Sequence, residues 1–150
     1  MDVRFAHLCD YASISREGKL SVMGIFSNIN VGELPARHPF MCLAFELELS
    51  YAEFGRKHTV EIKGVDADGG NQFLTMKGEM VINAPEQPRR GERPRIGQIM
   101  QLHNMQFKRT GAHDIHIFVN GDLKQTVTFL ITRRERPTRA PETPPLDSVP

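Results

Sequence analysis

The chain has 150 residues, of which 39% are hydrophobic and 25% charged, and its formal net charge at pH 7 is +1. This length supports a hydrophobic core without cross-links, and the two cysteines, Cys9 and Cys42, form neither a zinc ribbon nor a disulfide framework. No apolar run reaches the roughly 18 residues of a membrane helix, and no signal peptide is visible, so we expect a cytoplasmic protein.

Short segments with alternating apolar and polar residues predict a β-rich body. The strongest alternation runs from Met41 to Tyr51, and no apolar period of 3.6 residues is long enough to predict a helix. Eight strands are predicted, near 3–12, 19–31, 40–51, 57–66, 72–82, 96–107, 113–119 and 123–132. Strands at this spacing, with turn residues between them, indicate an antiparallel sandwich or barrel.

Prolines and glycines predict irregularities between and within these strands. Pro35 and Pro39 cannot donate to a strand ladder, so the residues between them are predicted to cross from one sheet to another. Gly64 predicts a β-bulge, because the apolar residues before and after it change parity.

Asn120-Gly121 predicts a hairpin turn, because both residues accept a positive φ. A plain two-residue loop would place charged residues opposite a core face, so a three-residue loop or a bulge is predicted. This arrangement aligns residues 115, 117 and 119 with residues 123, 125 and 127. The last strand is predicted to turn four apolar residues inward, namely Leu123, Val127, Phe129 and Ile131.

Two residue groups raise the question of a metal. The carboxylates of Asp66 and Asp68 lie in a glycine-rich stretch, but the spacing departs from a calcium loop and favours a tight turn. His7 and Cys9 share a strand face, and a cluster with His113 would make a metal-dependent module the third hypothesis. Core cysteines and hydrogen-bonded histidines are commoner, so we expect no metal site.

No arrangement of residues predicts catalysis. The sequence lacks a nucleophile elbow and both glycine-rich phosphate loops, so we expect no enzyme and no cofactor. Glu46 and Glu48 share a strand face, which we interpret as a solvated outer surface rather than an acid–base pair.

Arginines concentrate in two polar stretches, a long exposed loop over residues 83–95 and a Pro/Arg-rich tail over residues 133–150. The tail has few bulky apolar residues and is predicted to be disordered, which leaves residues 1–132 as the folded domain. Seven arginines of these stretches are candidate anion-binding residues: Arg89, Arg90, Arg93, Arg95, Arg133, Arg134 and Arg136. Interspersed glutamates and the absence of aromatic residues disfavour nucleic acid as the partner.

The N-terminal segments carry a resemblance. Residues 5–12 (FAHLCDYA) and 17–26 (EGKLSVMGIF), then 34–39 (LPARHP) and 121–123 (GDL), resemble an uncharacterised family of small bacterial all-β proteins. The resemblance covers most of residues 3–132 and none of the tail. It implies a β-sandwich similar to a C2 or immunoglobulin-like module, and it assigns no catalytic residue.

Together these patterns predict an antiparallel eight-stranded β-sandwich that acts as a non-catalytic interaction module. It would offer a sheet face, an edge strand or the 83–95 loop to a protein partner of unknown identity. A homodimer is a subsidiary hypothesis, because the β-body is rich in methionine, whose flexible side chain suits an adaptable interface. The alternative function is binding of an anion or nucleic acid through the arginines. No membrane partner is expected.

Overall fold

Nine β-strands, and no α-helix, make up the part of the chain that the computed structural model describes, residues 1–66, 68–87, 89 and 91–135. A short 3-10 helix covers Tyr51–Glu53. The strands are β1 (Asp2–Ile14), β2 (Leu20–Ile25), β3 (Asn28–Val31), β4 (Ala36–Glu48), β5 (Lys57–Val65), β6 (Gln72–Val81), β7 (Arg95–Phe107), β8 (Gly111–Val119) and β9 (Asp122–Arg133).

The strands form two sheets. The first sheet has the order β2-β1-β4-β7, and the second has the order β3-β9-β8-β5-β6. All neighbours are antiparallel except β3, which pairs with β9 in parallel. The prediction of a wholly antiparallel arrangement is therefore wrong at this one edge.

The predicted strand at 19–31 is two strands in two different sheets. The chain leaves the first sheet after Ile25 and enters the second at Asn28. Backbone hydrogen bonds hold the junction on both sides, since the N–H of Phe26 donates to Leu8 and Ser27 accepts from the N–H of Leu130. The sequence shows one apolar run here because both halves are extended, and this accounts for nine strands rather than eight.

One hydrophobic cluster joins the two sheets. Alternate residues of β4 are fully buried on the inner side, as the apolar–polar alternation predicts, and they pack with residues of β5, β8 and β9 from the second sheet. The largest fully buried side chains are Leu8, Met41, Leu43, Leu47, Leu49, Ile62, Leu102, Phe107, Ile115, Ile117, Phe129 and Ile131. The predicted alternation therefore identifies most of the core.

The predicted bulge lies at its glycine, whereas the predicted crossing between the sheets lies earlier in the chain than expected. The ladder between β5 and β6 shifts register between Gly64 and Val65, which confirms the predicted bulge. The chain crosses between the sheets after Val31 and before Ala36, so the prediction for the residues between Pro35 and Pro39 is wrong: they begin β4 and pair with β7, because an extended segment before a proline also fits a strand.

The Asn120-Gly121 turn confirms one part of its prediction and corrects another. Val119 pairs directly with Asp122, so the turn has two residues, and a bulge between Ile117 and Phe118 then restores the core register. Residues 115 and 117 pair with 127 and 125, as predicted. Leu123 was expected to point inward, but it precedes the bulge and is exposed.

β9 ends at Arg133, one residue beyond the predicted domain limit of 132. The prediction that the tail is disordered falls largely on residues 136–150, which lie outside the described residues. Among the residues that the structure describes, no helix is long and apolar enough to cross a membrane.

Candidate interaction surface

The hairpin of β1 and β2 lies over the outer face of the first sheet. One side of the hairpin, formed by Ala12, Leu20 and Val22, packs against small buried residues of that outer face, including Cys42 and Ala44. β2 and β7 occupy opposite edges of the sheet, yet a Cβ placed on Gly97 of β7 would lie 3.1 Å from the Leu20 Cβ. The hairpin therefore reaches back across the sheet and is held there by apolar contacts.

The other side of this hairpin presents large apolar side chains to solvent. Tyr11 and Met23 are register partners and so share a face, and Ile25 lies two residues further along β2. Their exposed fractions are 53%, 64% and 58%. We call these three residues the hairpin patch. Large apolar side chains clustered in this way mark interaction sites more often than isolated ones do.

The hairpin patch adjoins a free backbone edge. β2 ends the order of the first sheet, and within the described ranges no further strand pairs with it. Gly24 adopts a φ of +68°, and a Cβ at this position would lie 2.4 Å from the Asp10 carboxylate. The backbone conformation at this edge therefore depends on a residue without a side chain.

Sequence reasoning missed the hairpin patch, although a signal is present. Leu20, Val22, Met23 and Ile25 are apolar at both parities, which a strand with one solvated face does not need. Without the tertiary fold, the sequence does not show which parity packs on the sheet and which faces solvent.

A second apolar feature lies between the edges β6 and β7. A groove of about 190 Å³ opens there, and methionines from both strands contribute to its walls, namely Met76, Met80 and Met100. Met76 is 42% exposed. β6 ends the second sheet as β2 ends the first, so this groove also lies beside an edge that no described strand covers.

The predicted arginine cluster of the 83–95 loop is partly engaged in ion pairs. Arg93 and Arg95 lie 3.2 Å and 3.5 Å from the Glu48 carboxylate, and Arg4 lies 3.3 Å from it. Glu48 is only 7% exposed beneath them. Our interpretation of this glutamate as part of a solvated face is therefore wrong, because three guanidinium groups surround it.

The remaining candidate arginines that the structure describes lie in two separate segments, the 83–95 loop and the end of β9. Arg89 pairs with Glu92 at 3.7 Å, and both side chains are exposed. Arg133 and Arg134 lie at the end of β9, where Arg134 donates its backbone N–H to Val31. Arg90 and Arg136 lie outside the described residues.

The hypothetical metal cluster of His7, Cys9 and His113 is not brought together. Cys9 is fully buried under the hairpin beside its register partner Cys42, whereas His113 is buried in the second sheet among Phe73, Phe107 and Phe129. Burial and the neighbouring Cys42 raise the pKa of the Cys9 thiol, which disfavours the thiolate that metals bind. Over the described ranges, no group of three metal-binding side chains occurs.

A polar cavity of about 230 Å³ lies at one end of the sheets, between Asp66 and His113. The Asp66 carboxylate accepts hydrogen bonds from the Asn71 backbone at 3.3 Å and from its side-chain amide at 3.1 Å. Burial opposes ionisation of this carboxyl, but the hydrogen bonds outweigh it and lower the pKa of Asp66. His113 donates its Nδ1–H to the Gly111 carbonyl oxygen, 3.0 Å away. The hydrogen bonds between Asp66 and Asn71 close the turn between β5 and β6.

Comparison with known proteins gives a family but no activity. The sequence profile of a family of unknown function (DUF6941) matches residues 4–132. No curated protein matches the chain. Among solved structures, the chain is similar to the Pseudomonas fluorescens alkylpurine DNA glycosylase AlkC bound to DNA containing an abasic site analog, with 17% identity and a TM-score of 0.43. The similarity covers 85% of this chain and 30% of that one, and it is too low to support an inference about function.

Proposed function

We propose that this chain, which belongs to the DUF6941 family, is a non-catalytic module that binds a protein partner through the hairpin patch and the edge of β2. The observation that carries the proposal is the exposure of Tyr11 on β1 and of Met23 and Ile25 on β2, in a hairpin whose outer strand has no further partner strand among the described residues. A binding surface explains why apolar residues occupy positions that packing does not require.

The partner's chemistry follows from the two components of this surface. A free edge accepts an extended segment through backbone hydrogen bonds, which need no particular sequence. The hairpin patch beside it favours a segment whose alternate side chains are apolar. The partner is therefore an extended apolar segment of another protein, added as a fifth strand to the first sheet.

The finer description of the fold belongs to the same proposal. The shared core supports a β-sandwich arrangement of the two sheets, and we propose a topology of the C2 or immunoglobulin-like kind. The free, buried cysteines Cys9 and Cys42 are consistent with the cytoplasm as the site of action.

Anion or nucleic-acid binding remains the second hypothesis and is less well supported. Arg93 and Arg95 contact Glu48, so a phosphate would have to displace an existing ion pair. Arg133 and Arg134 are exposed, and Arg134 borders a cavity together with Phe26 and His38, but the carboxylate of Asp10 lines the same cavity and repels an anion there.

A pull-down with surface variants tests the proposal. The full-length protein, the variants Met23→Lys and Ile25→Lys, and the control Leu130→Lys are each immobilised and exposed to nuclease-treated lysate. Leu130 is 47% exposed on β9, so the control adds the same charge on the other sheet. We expect the wild type and the control to retain one defined protein that both hairpin variants lose.

Titration with that purified protein completes the test. Loss of a central apolar contact is expected to weaken binding about tenfold or more. The surface location of both substitutions predicts unchanged folding, within about 0.5 kcal/mol by denaturant unfolding. Equal recovery by the hairpin variants would refute the proposal, and recovery that requires nucleic acid would favour the arginine hypothesis instead.

A further inference from the structure

The outer edge of β6 has a self-complementary charge pattern. Lys77 and Glu79 lie on the same face of this strand, one residue on either side of Gly78, and both are exposed. The ladder with β5 is regular from Leu74 to Val81, so the strand is straight on both sides of Gly78.

An antiparallel copy of β6, related by a two-fold axis at Gly78, would bring unlike charges together. In that register Lys77 lies opposite Glu79 of the second copy, and the symmetry repeats the pair in reverse. Neighbouring two-fold registers, centred on Lys77 or on Glu79, would instead oppose two like charges. Paired residues of neighbouring strands must point to the same face of the sheet, so the two-fold axis must pass through a residue. Of the three centres, only Gly78 pairs unlike charges.

The opposite side of the strand agrees with this register. The same axis places Met76 of one copy across from Met80 of the other, with the two Gly78 residues between them. Met76 is the more exposed of the two methionines and borders the groove between β6 and β7. Pairing would therefore cover an apolar side chain as well as join the charges.

From these observations we propose that the protein forms a homodimer through β6, in which the second sheets of two copies join into one continuous ten-stranded sheet. The occupant of this edge is a second copy of the chain, and the proposal is independent of the partner proposed for the hairpin patch.

The lysine on this edge is compatible with pairing. A lysine on an exposed strand usually prevents association, because no counter-charge meets it on an incoming strand. Here the second copy supplies a carboxylate at the required position. Glu79 also lies 2.8 Å from Lys57 of its own chain, which holds the carboxylate in place on this face.

Sedimentation of charge variants tests the dimer. The wild type is expected to show a concentration-dependent monomer–dimer equilibrium. Lys77→Glu alone and Glu79→Lys alone each create two like-charge contacts, so each is expected to weaken the dimer about tenfold or more. The double variant Lys77→Glu/Glu79→Lys restores unlike pairs in the same register and is expected to dimerise again.

A mixing experiment distinguishes the interface from a general effect of charge or folding. When the two single variants are mixed, positions 77 and 79 are both negative in one chain and both positive in the other. Native mass spectrometry should therefore detect the mixed dimer in excess over both homodimers. Thermal unfolding of each variant checks that it is folded.

Three outcomes would overturn the proposal: a monomeric wild type at all concentrations, single variants that dimerise as the wild type does, or a mixture without the mixed dimer. Because the hairpin patch is unchanged in these variants, none of these outcomes bears on the partner-binding function.

Discussion

The sheet edges at β2 and β6 differ in what they offer a partner. At β2, the exposed side chains beside the edge include Tyr11, Met23 and Ile25, which are large and uncharged, and the carboxylate of Asp10 lies against Gly24. At β6, the exposed residues beside the edge include Lys77 and Glu79. A second copy related by a two-fold axis would place its Glu79 opposite Lys77. One edge suits a foreign apolar segment, and the other suits its own copy.

This difference teaches that an unpaired strand does not by itself define a partner. Backbone hydrogen bonds are the same at both edges, so specificity depends on the side chains that flank them. An apolar flank gives affinity without register, whereas paired charges give register with little affinity. The proposed heterologous and self-association sites follow from this distinction.

Substitution of one glycine at each edge is expected to produce the largest contrast. Gly24→Ala adds a Cβ in a left-handed conformation and against Asp10, and should lower the free energy of unfolding by about 2 kcal/mol. Gly78→Ala meets no atom within 4 Å and should change it by less than about 0.5 kcal/mol. Denaturant unfolding measures both. Equal effects would show that the hairpin edge is not conformationally constrained.

Removal of the Glu48 charge tests whether the arginines of the 83–95 loop are occupied by an ion pair, unlike the side chains at the two edges. Glu48→Gln keeps the shape of the side chain but deprives Arg4, Arg93 and Arg95 of their carboxylate. We expect a loss of about 1 kcal/mol in stability and tighter retention on heparin. Strong heparin binding by the wild type, unchanged in the variant, would mean that the ion pairs do not occupy these arginines.

Ionic strength separates the two edges directly. Exposed ion pairs weaken as salt screens them, so the β6 dimer is expected to dissociate a few-fold more readily between about 50 mM and about 500 mM salt. Binding at the hairpin patch is apolar and should stay constant or strengthen. Isothermal titration and sedimentation at both salt concentrations make the comparison. A dimer that is insensitive to salt would argue against the role of Lys77 and Glu79.

The smallest effect on stability is expected at Asp66, in the turn between β5 and β6 of the second sheet. A carboxyl whose pKa is lowered on folding stabilises the protein above its unfolded pKa, about 3.9 for aspartate. This stability is lost as the pH falls through the lowered folded-state pKa. Asn71→Ala removes the one side-chain hydrogen bond that lowers the pKa of Asp66, so the stabilities of variant and wild type should converge in acid. A constant difference across pH would exclude this linkage.

The sequence predicts the core better than the surface for a physical reason. Alternation along β4 reflects burial against a second sheet, so Met41, Leu43 and Leu47 are identified without knowledge of their partners. The Gly64 bulge is equally local, because one glycine and a change of parity specify it. Such features depend on neighbours within a few residues.

The hairpin patch depends on tertiary structure and is not predictable in this way. Whether Met23 or Val22 faces solvent depends on how the hairpin folds over the sheet. Both residues are apolar, so the local sequence does not distinguish them. The pairing of Glu48 with Arg93 also joins residues 45 positions apart. The division of 19–31 into β2 and β3 likewise follows from the parallel partner that β9 provides.

Site-specific photo-crosslinking in the native cell tests the central claim most directly. A photoreactive amino acid replaces Met23 in one variant and Leu130 in a control, and the products are identified by mass spectrometry. We predict that position 23 gives a discrete adduct with a different protein and that the control position does not. The absence of a discrete adduct at position 23, or the same adduct at both positions, would contradict the assignment of the hairpin patch as the binding surface.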